Sequence, residues 1–141
     1  KRFRAGVNMD GTLFGTGPAG SDRPFLLLSS DHPTIPEDPT WDTLFGRQRG
    51  PILELRLAGS AHLSFNDGQS LFPQLAGVLG LDTGGLAQLV GTIEPGRSVA
   101  IQRVYLRAFF DRWLRDRHQP LLEGPSKRYA EVQFVRSNRP G

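Results

Sequence analysis

The sequence predicts an α/β domain built on a parallel β-sheet, and three observations indicate this fold class. Short segments typical of strands alternate with segments of helical periodicity. Residues 24–30 are almost continuously apolar, as in a strand that is covered on both faces of a parallel sheet. Polar residues or glycine follow the predicted strands, which is where parallel α/β folds place their functional groups.

Length and composition favour a single globular unit. The chain has 141 residues, of which 38% are hydrophobic, and we treat residues 1–141 as a segment of one domain. No apolar run approaches the roughly 18 residues of a membrane-spanning helix, so no transmembrane segment is predicted. The absence of cysteine excludes disulfides and thiolate metal sites.

The net charge of +3 is unevenly distributed along the chain. Residues 1–96 carry 7 basic and 10 acidic side chains, whereas residues 97–141 carry 10 basic and 4 acidic side chains. In the second part, Asp111 lies four residues from both Arg107 and Arg115, the spacing of ion pairs on a solvated helix face. We therefore expect a solvated helix there and no nucleic-acid partner.

The first half of the chain contains the three predicted strands. They cover residues 3–9, 24–30 and 51–57. The first strand ends at Asp10, which is followed by glycine. A short helix is predicted over residues 41–47, with Thr40 as its N-cap.

The second half is predicted to be mainly helical. Asp67 is the expected N-cap of a helix with one apolar face, formed by Leu71, Leu75, Val78 and Leu79. A second helical piece covers residues 85–90. The clearest helix is predicted over residues 98–117, with Ser98 as its N-cap, and residues 132–135 form a short edge strand.

A histidine follows the third predicted strand, directly after Gly59, Ser60 and an alanine. Imidazole titrates near neutral pH, so His62 can accept and return a proton. The alternative is a loop histidine that only completes a turn. The other two histidines are expected at the surface: His32 in a loop, and His118 in the last turn of a helix, where a positive charge suits the helix dipole.

Two separated segments carry a resemblance to a known family. Residues 2–10 (RFRAGVNMD) and 59–65 (GSAHLSF), with the strand of residues 24–30 between them, resemble the second half of a bacterial platelet-activating-factor acetylhydrolase-like α/β-hydrolase. The resemblance implies the C-terminal part of that fold, incomplete on its own. It also implies a serine carboxylic ester hydrolase that acts without a cofactor, with Asp10 as the acid and His62 as the base of a Ser-His-Asp triad.

The nucleophile of such a triad is missing from the sequence. α/β-Hydrolases carry it on a G-x-S-x-G turn, and no such turn occurs here. We expect the serine and the oxyanion hole in an N-terminal portion of the same hydrolase, which would be the partner of this chain. The second expected partner is a small ester or lipid substrate, either a short acyl ester or a phospholipid sn-2 ester. Residues 1–141 alone are expected to be neither a stable domain nor an active esterase.

Several assignments remain open at this point. Asp31 follows the second strand, where cutinase-like hydrolases of polyesters or triglycerides place their acid, so it is the alternative partner of His62. A non-catalytic binding fragment is the other alternative. Leu13, Phe14 and Phe65 are candidates for an acyl pocket, although apolar residues beside strand ends also belong to cores. No metal site is expected.

Overall fold

A four-stranded β-sheet forms the centre of the computed structural model, which describes residues 3–31 and 38–138. The strands, in spatial order, are β1 (Gly6–Met9), β2 (Phe25–Ser30), β3 (Ile52–Leu57) and β4 (Val132–Ser137). The first three run parallel, and β4 pairs antiparallel with β3 at the edge. The three predicted parallel strands and the predicted edge strand are therefore confirmed.

The described residues form four α-helices. They are α1 (Pro39–Arg47), α2 (Gly68–Leu79), α3 (Thr83–Val90) and α4 (Pro95–Leu114). Short 3₁₀ turns cover Gly17–Ala19, His62–Phe65, Pro120–Leu122 and Lys127–Tyr129. Among the described residues, no helix has the length and apolar character required to cross a bilayer.

Both faces of β2 are covered, which explains its continuous apolar run. Leu26 and Leu28 face one side of the sheet, and Leu27 faces the other, because successive strand residues point in opposite directions. The larger core lies between the sheet and α4; its buried residues are Leu26, Leu28, Leu55, Leu57, Ile101, Tyr105, Phe109, Tyr129 and Val132. The smaller core consists of Leu27, Trp41, Leu44 and Ile52 and places α1 on the opposite face.

Two predicted N-caps were wrong because each helix begins earlier than expected. Asp38 caps α1, and its Oδ1 atom accepts hydrogen bonds from the backbone N–H (2.8 Å) and the hydroxyl (2.7 Å) of Thr40. Glu94 caps α4, whereas Ser98 lies buried within that helix. A proline at the first helical position, as at Pro39 and Pro95, is compatible with a start there.

The apolar face of α2 is exposed rather than buried. Its exposed large side chains are Leu71, Leu75, Val78 and Leu79. The helix is instead anchored at its amino end, where Gly68 and Gln69 are buried. Asp67 makes no side-chain cap, and the Oδ1 atom of Asn66 accepts the Gly68 N–H at 2.7 Å. Helical periodicity predicts which side chains share one face of a helix, but it does not predict whether other parts of the protein cover that face.

A charged cluster ties α1, β3 and β4 together. The Arg136 guanidinium on β4 bonds Glu54 on β3 (Nε–Oε2, 2.6 Å) and Asp42 on α1 (Nη1–Oδ1, 2.6 Å). It also lies over the Phe45 ring, 4.1 Å from the centroid. Burial alone would lower the pKa of Arg136, but the hydrogen bonds that it donates to Asp42 and Glu54 outweigh this effect and raise the pKa. Glu54 is buried, and Arg136 is the cation that pairs with its carboxylate.

Replacing this arginine should destabilise the protein. We expect Arg136→Met to lower the free energy of unfolding by about 2–3 kcal/mol, because it leaves the Glu54 carboxylate buried without a partner. This expected loss is smaller than the loss for a fully buried ion pair, because the Arg136 side chain is partly exposed to solvent. Denaturant unfolding of the full-length protein measures the change.

The matched control is Arg49→Met. Arg49 pairs with Asp22 at 3.6 Å, and both side chains are exposed, so its loss should cost less than about 1 kcal/mol. Equal losses in the two variants would show that the Glu54–Arg136 pair contributes no more than a surface ion pair.

Candidate active site

Asp10 lies in the turn that directly follows β1. Its backbone N–H donates to the Leu28 carbonyl (2.8 Å), which continues the pairing with β2. One carboxylate oxygen, Oδ1, accepts the Ser30 N–H at 2.7 Å. The side chain is 13% exposed. The end of β2 therefore holds both the backbone and the carboxylate of Asp10.

The backbone of Asp10 is strained. Its φ angle is +57°, in the left-handed region that costs a residue with a side chain about 1–2 kcal/mol. Two side chains hold the following residue, Gly11: the Asn8 carboxamide bonds both its N–H and its carbonyl, and the Trp41 Nε1–H donates to the same carbonyl at 3.0 Å. The turn is thus tied to β1 and to α1.

His62 opens the 3₁₀ turn after β3, and its ring contacts the Asp10 carboxylate. The Nδ1 atom lies 2.8 Å from Oδ2 of Asp10, so the predicted hydrogen bond is present. A carboxylate only accepts hydrogen bonds, and this contact therefore places the proton of the neutral imidazole on Nδ1. Among the described residues, Nε2 has no partner, and the side chain is 57% exposed. The imidazole is oriented and its second nitrogen can accept a proton.

Asp31 does not contact the histidine ring. Its Oδ2 atom accepts the Gly59 N–H at 3.2 Å, and its own N–H donates to the Ser60 carbonyl at 3.1 Å. The structure therefore brings Asp10 to His62 and uses Asp31 to hold the loop that leads from β3 to the histidine.

The remaining histidines lie away from this contact. His118 pairs with Glu123 at the surface (Nε2–Oε1, 2.8 Å). It also lies beyond α4, which ends at Leu114, so its expected place in the last helical turn was wrong. His32 lies outside the described residues.

A buried network of polar side chains holds the 3₁₀ turn that begins at His62. The Ser64 hydroxyl accepts the Ala61 N–H (3.0 Å) and donates to the Val90 carbonyl (2.7 Å). The Gln102 side chain on α4 donates to the Ser64 carbonyl (2.8 Å) and to the Ser98 hydroxyl (3.0 Å). These contacts connect the turn to α3 and α4. Sequence reasoning missed them, because a glutamine and two serines beside apolar residues give no local signal of a shared network.

Two glycines allow the loop before His62 to pack closely. The Gly59 carbonyl accepts the N–H groups of Thr92 (2.7 Å) and Ile93 (3.0 Å). Gly91 has a φ angle of +76°, and a side-chain carbon there would lie 2.1 Å from the Gly59 carbonyl oxygen. The contact therefore requires glycine at position 91.

The serines that flank His62 are engaged within the fold. The Ser60 hydroxyl is buried and donates to the Leu57 carbonyl at 2.7 Å. Ser64 is buried in the network described above. Neither hydroxyl is available as a nucleophile in this arrangement.

The three candidate pocket residues lie in different environments. Leu13 packs against the smaller core, and Phe65 packs against the larger one. Phe14 is 82% exposed and lies four residues after Asp10 in the chain. Within residues 3–31 and 38–138, no group of three or more His, Asp or Glu side chains is placed to hold a metal ion.

The close approach at Gly91 leads to a stability prediction. Gly91→Ala should lower the free energy of unfolding by about 2–3 kcal/mol, because it combines an unfavourable backbone angle with a clash against backbone. Gly77→Ala, in the middle of α2 with open space around it, should instead raise it by about 0.5–1 kcal/mol. Chemical denaturation of both variants of the full-length protein tests this, and a stable Gly91→Ala variant would contradict the packing described here.

Comparisons with known proteins show that this chain is similar to parts of two esterases. No protein-family model matches the chain. A probable 1-alkyl-2-acetylglycerophosphocholine esterase from Arthroderma benhamiae is 30% identical over 154 aligned residues, which cover 95% of this chain and 38% of that protein. A crystallised ferulic acid esterase from Streptomyces cinnamoneus superposes with a TM-score of 0.83 at 30% identity, covering 96% of this chain and 40% of the other.

The chain thus spans about two fifths of the length of each of these relatives. The ester named for the fungal relative is platelet-activating factor, so the predicted resemblance is confirmed. The four-stranded sheet with its flanking helices likewise matches part of an esterase. The chain has the fold of part of an α/β-hydrolase, and its sequence is similar to that of a platelet-activating-factor acetylhydrolase-like esterase.

Proposed function

We propose that this chain is the C-terminal portion of a serine carboxylic ester hydrolase and supplies its acid and base. Asp10 is the acid and His62 is the base. The observation that carries the proposal is the 2.8 Å contact between Asp10 Oδ2 and His62 Nδ1, at the carboxyl ends of parallel strands. Its support comes from two relatives that are both described as esterases.

The proposed mechanism follows from the two ring nitrogens of His62. Nε2 takes the proton of the serine hydroxyl while its oxygen attacks the ester carbonyl, and the imidazolium then protonates the leaving alcohol. Water then attacks the acyl-enzyme and gives its proton to Nε2. The imidazolium returns a proton to the serine oxygen as the carboxylic acid leaves. Asp10 keeps Nε2 unprotonated at the start of acylation and at the start of deacylation, and it stabilises the imidazolium that forms in each.

The nucleophile is proposed to come from an N-terminal portion of the same hydrolase. In the described part of the chain, β1 pairs with β2 alone. The backbone groups on its other edge therefore form no hydrogen bonds with a described strand. An unpaired edge of a parallel sheet is a place where further strands add. A strand that pairs parallel with β1 on this edge would have its carboxyl end beside Asp10 and His62. A serine that follows this strand would lie there too.

The proposed substrates are short acyl esters or sn-2 esters of phospholipids. The fungal relative is named for an sn-2 acetyl ester of a glycerophosphocholine, which supports this class. A ferulate ester is the second candidate, because the crystallised relative is described as a ferulic acid esterase. Of the three candidate pocket residues, Phe14 has the exposure needed to contact an acyl group.

Substitution of the acid and the base tests the proposal. In the full-length protein, His62→Ala should reduce kcat for 4-nitrophenyl acetate by about 10⁴-fold or more, since the serine then lacks its base. Asp10→Asn should reduce it by about 10³- to 10⁴-fold, because an amide stabilises the wrong tautomer of the imidazole. Steady-state kinetics with 4-nitrophenyl acetate, a 2-acetyl glycerophosphocholine and methyl ferulate measure the losses and rank the substrate classes.

His118→Ala is the control, since it removes another exposed, carboxylate-paired histidine. Its effect should be less than about tenfold. Retention of activity in His62→Ala, or an equal loss in the control, would refute the proposed function.

A further inference from the structure

The turn that carries Asp10 is closed by a side chain with no part in the proton transfers. Asn8 is the third residue of β1, and its Oδ1 atom accepts the Gly11 N–H at 2.8 Å. Its Nδ2 atom donates to the Gly11 carbonyl at 2.7 Å. One carboxamide thus satisfies both the donor and the acceptor of Gly11 and closes a ring around Asp10.

We propose that Asn8 is a positioning residue for the acid of the esterase. Its two hydrogen bonds to Gly11 hold Asp10 in the left-handed conformation that aims the carboxylate at His62. This inference rests on the proposed function, because it assigns a role in a reaction that Asp10 and His62 perform.

The conformation of Asp10 explains why the two hydrogen bonds between Asn8 and Gly11, which we call the Asn8 clamp, are needed. A residue with a side chain relaxes from a φ angle of +57° towards negative values unless its surroundings prevent it. That relaxation would rotate the Cα–Cβ bond and move the carboxylate away from both the Ser30 N–H and the histidine ring. The bonds at Gly11 lie on the far side of Asp10 from β1, so they oppose the rotation directly.

The local packing agrees with this role. A side-chain carbon on Gly11 would lie 3.3 Å from Oδ1 of Asn8, so the carboxamide fits closely against the turn. The Trp41 indole holds the same Gly11 carbonyl from α1, but it makes a single bond and leaves the N–H to Asn8. The carboxamide is also neutral, and it therefore supports the turn without adding charge beside the Asp10 carboxylate.

Asn138 provides a matched control with the same chemistry at the opposite end of the sheet. Its Oδ1 atom accepts the Ile52 N–H (2.9 Å), and its Nδ2 atom donates to the Gly50 carbonyl (2.9 Å). Replacing either asparagine with alanine removes one carboxamide and two hydrogen bonds to backbone. A purely structural role would therefore give the two variants the same phenotype.

The experiment compares Asn8→Ala and Asn138→Ala in the full-length enzyme. Both should lower the unfolding midpoint by a similar amount. Asn8→Ala should lower kcat for 4-nitrophenyl acetate by about tenfold or more with KM within about twofold, because misplacing the acid affects proton transfer rather than binding. Asn138→Ala should keep kcat within about twofold. The low-field proton NMR signal of His62 Nδ1–H should weaken in Asn8→Ala and persist in Asn138→Ala.

An Asn8→Ala enzyme with the kcat and the Nδ1–H signal of Asn138→Ala would overturn the inference. Should Asn8→Ala fail to fold, the comparison is made with Asn8→Ser, and a kcat equal to that of Asn138→Ala again overturns it. The His62→Ala and Asp10→Asn enzymes separate the two proposals. If both are inactive while Asn8→Ala is normal, the role of Asn8 fails alone; if they are active, the proposed function fails.

Discussion

The hydrogen bond between Asp10 and His62 joins the ends of two strands that are not neighbours. β1 and β3 lie on either side of β2, so their axes are separated by two strand spacings, about 10 Å. The turn that carries Asp10 and the turn that carries His62 must therefore meet across the end of β2. The residues at that end serve both turns: the Ser30 N–H holds the Asp10 carboxylate, and Asp31 holds Gly59 and Ser60.

The side chains of Asp10 and His62 are held to different degrees. The Asp10 carboxylate is largely buried and has partners on both oxygens. The His62 ring is more than half exposed, and its turn is anchored through backbone groups by Ser64 and Gln102. A fixed carboxylate defines the orientation of the ring, and the exposed ring edge leaves room for a nucleophile. The geometry suits a base that exchanges protons with a group placed beside its exposed Nε2 atom.

The strands and the contact between Asp10 and His62 were predictable because their signals are local. Residues 24–30 form a continuous apolar run, and the order of Asp10 before His62 is that of an α/β-hydrolase. The contacts that hold these residues in place were not predictable. The bonds from Ser64 to Val90 and from Gln102 to Ser64 join residues 26 and 38 positions apart. The Asn8 clamp does have a local signal, since asparagine, aspartate and glycine close together favour turns with positive φ.

Two features could not be predicted from the sequence pattern: the residues at which helices begin, and the burial of the apolar face of α2. Both Thr40 and Ser98 are good capping residues by type, but Asp38 and Glu94 precede a proline that begins the helix, and they take the caps. The apolar side of α2 has the periodicity of a buried face, yet it stays exposed in the described part of the chain. Periodicity reports which residues share a side, and tertiary packing decides which side is covered.

The most direct test is a crystal structure of the full-length protein after reaction with a fluorophosphonate ester. We expect the phosphonyl group on a serine outside residues 1–141, with its oxygen within about 3.2 Å of His62 Nε2 and with Nδ1 still bonded to Asp10. A modified serine remote from His62, or one whose histidine is held by Asp31, would contradict the proposed acid–base pair.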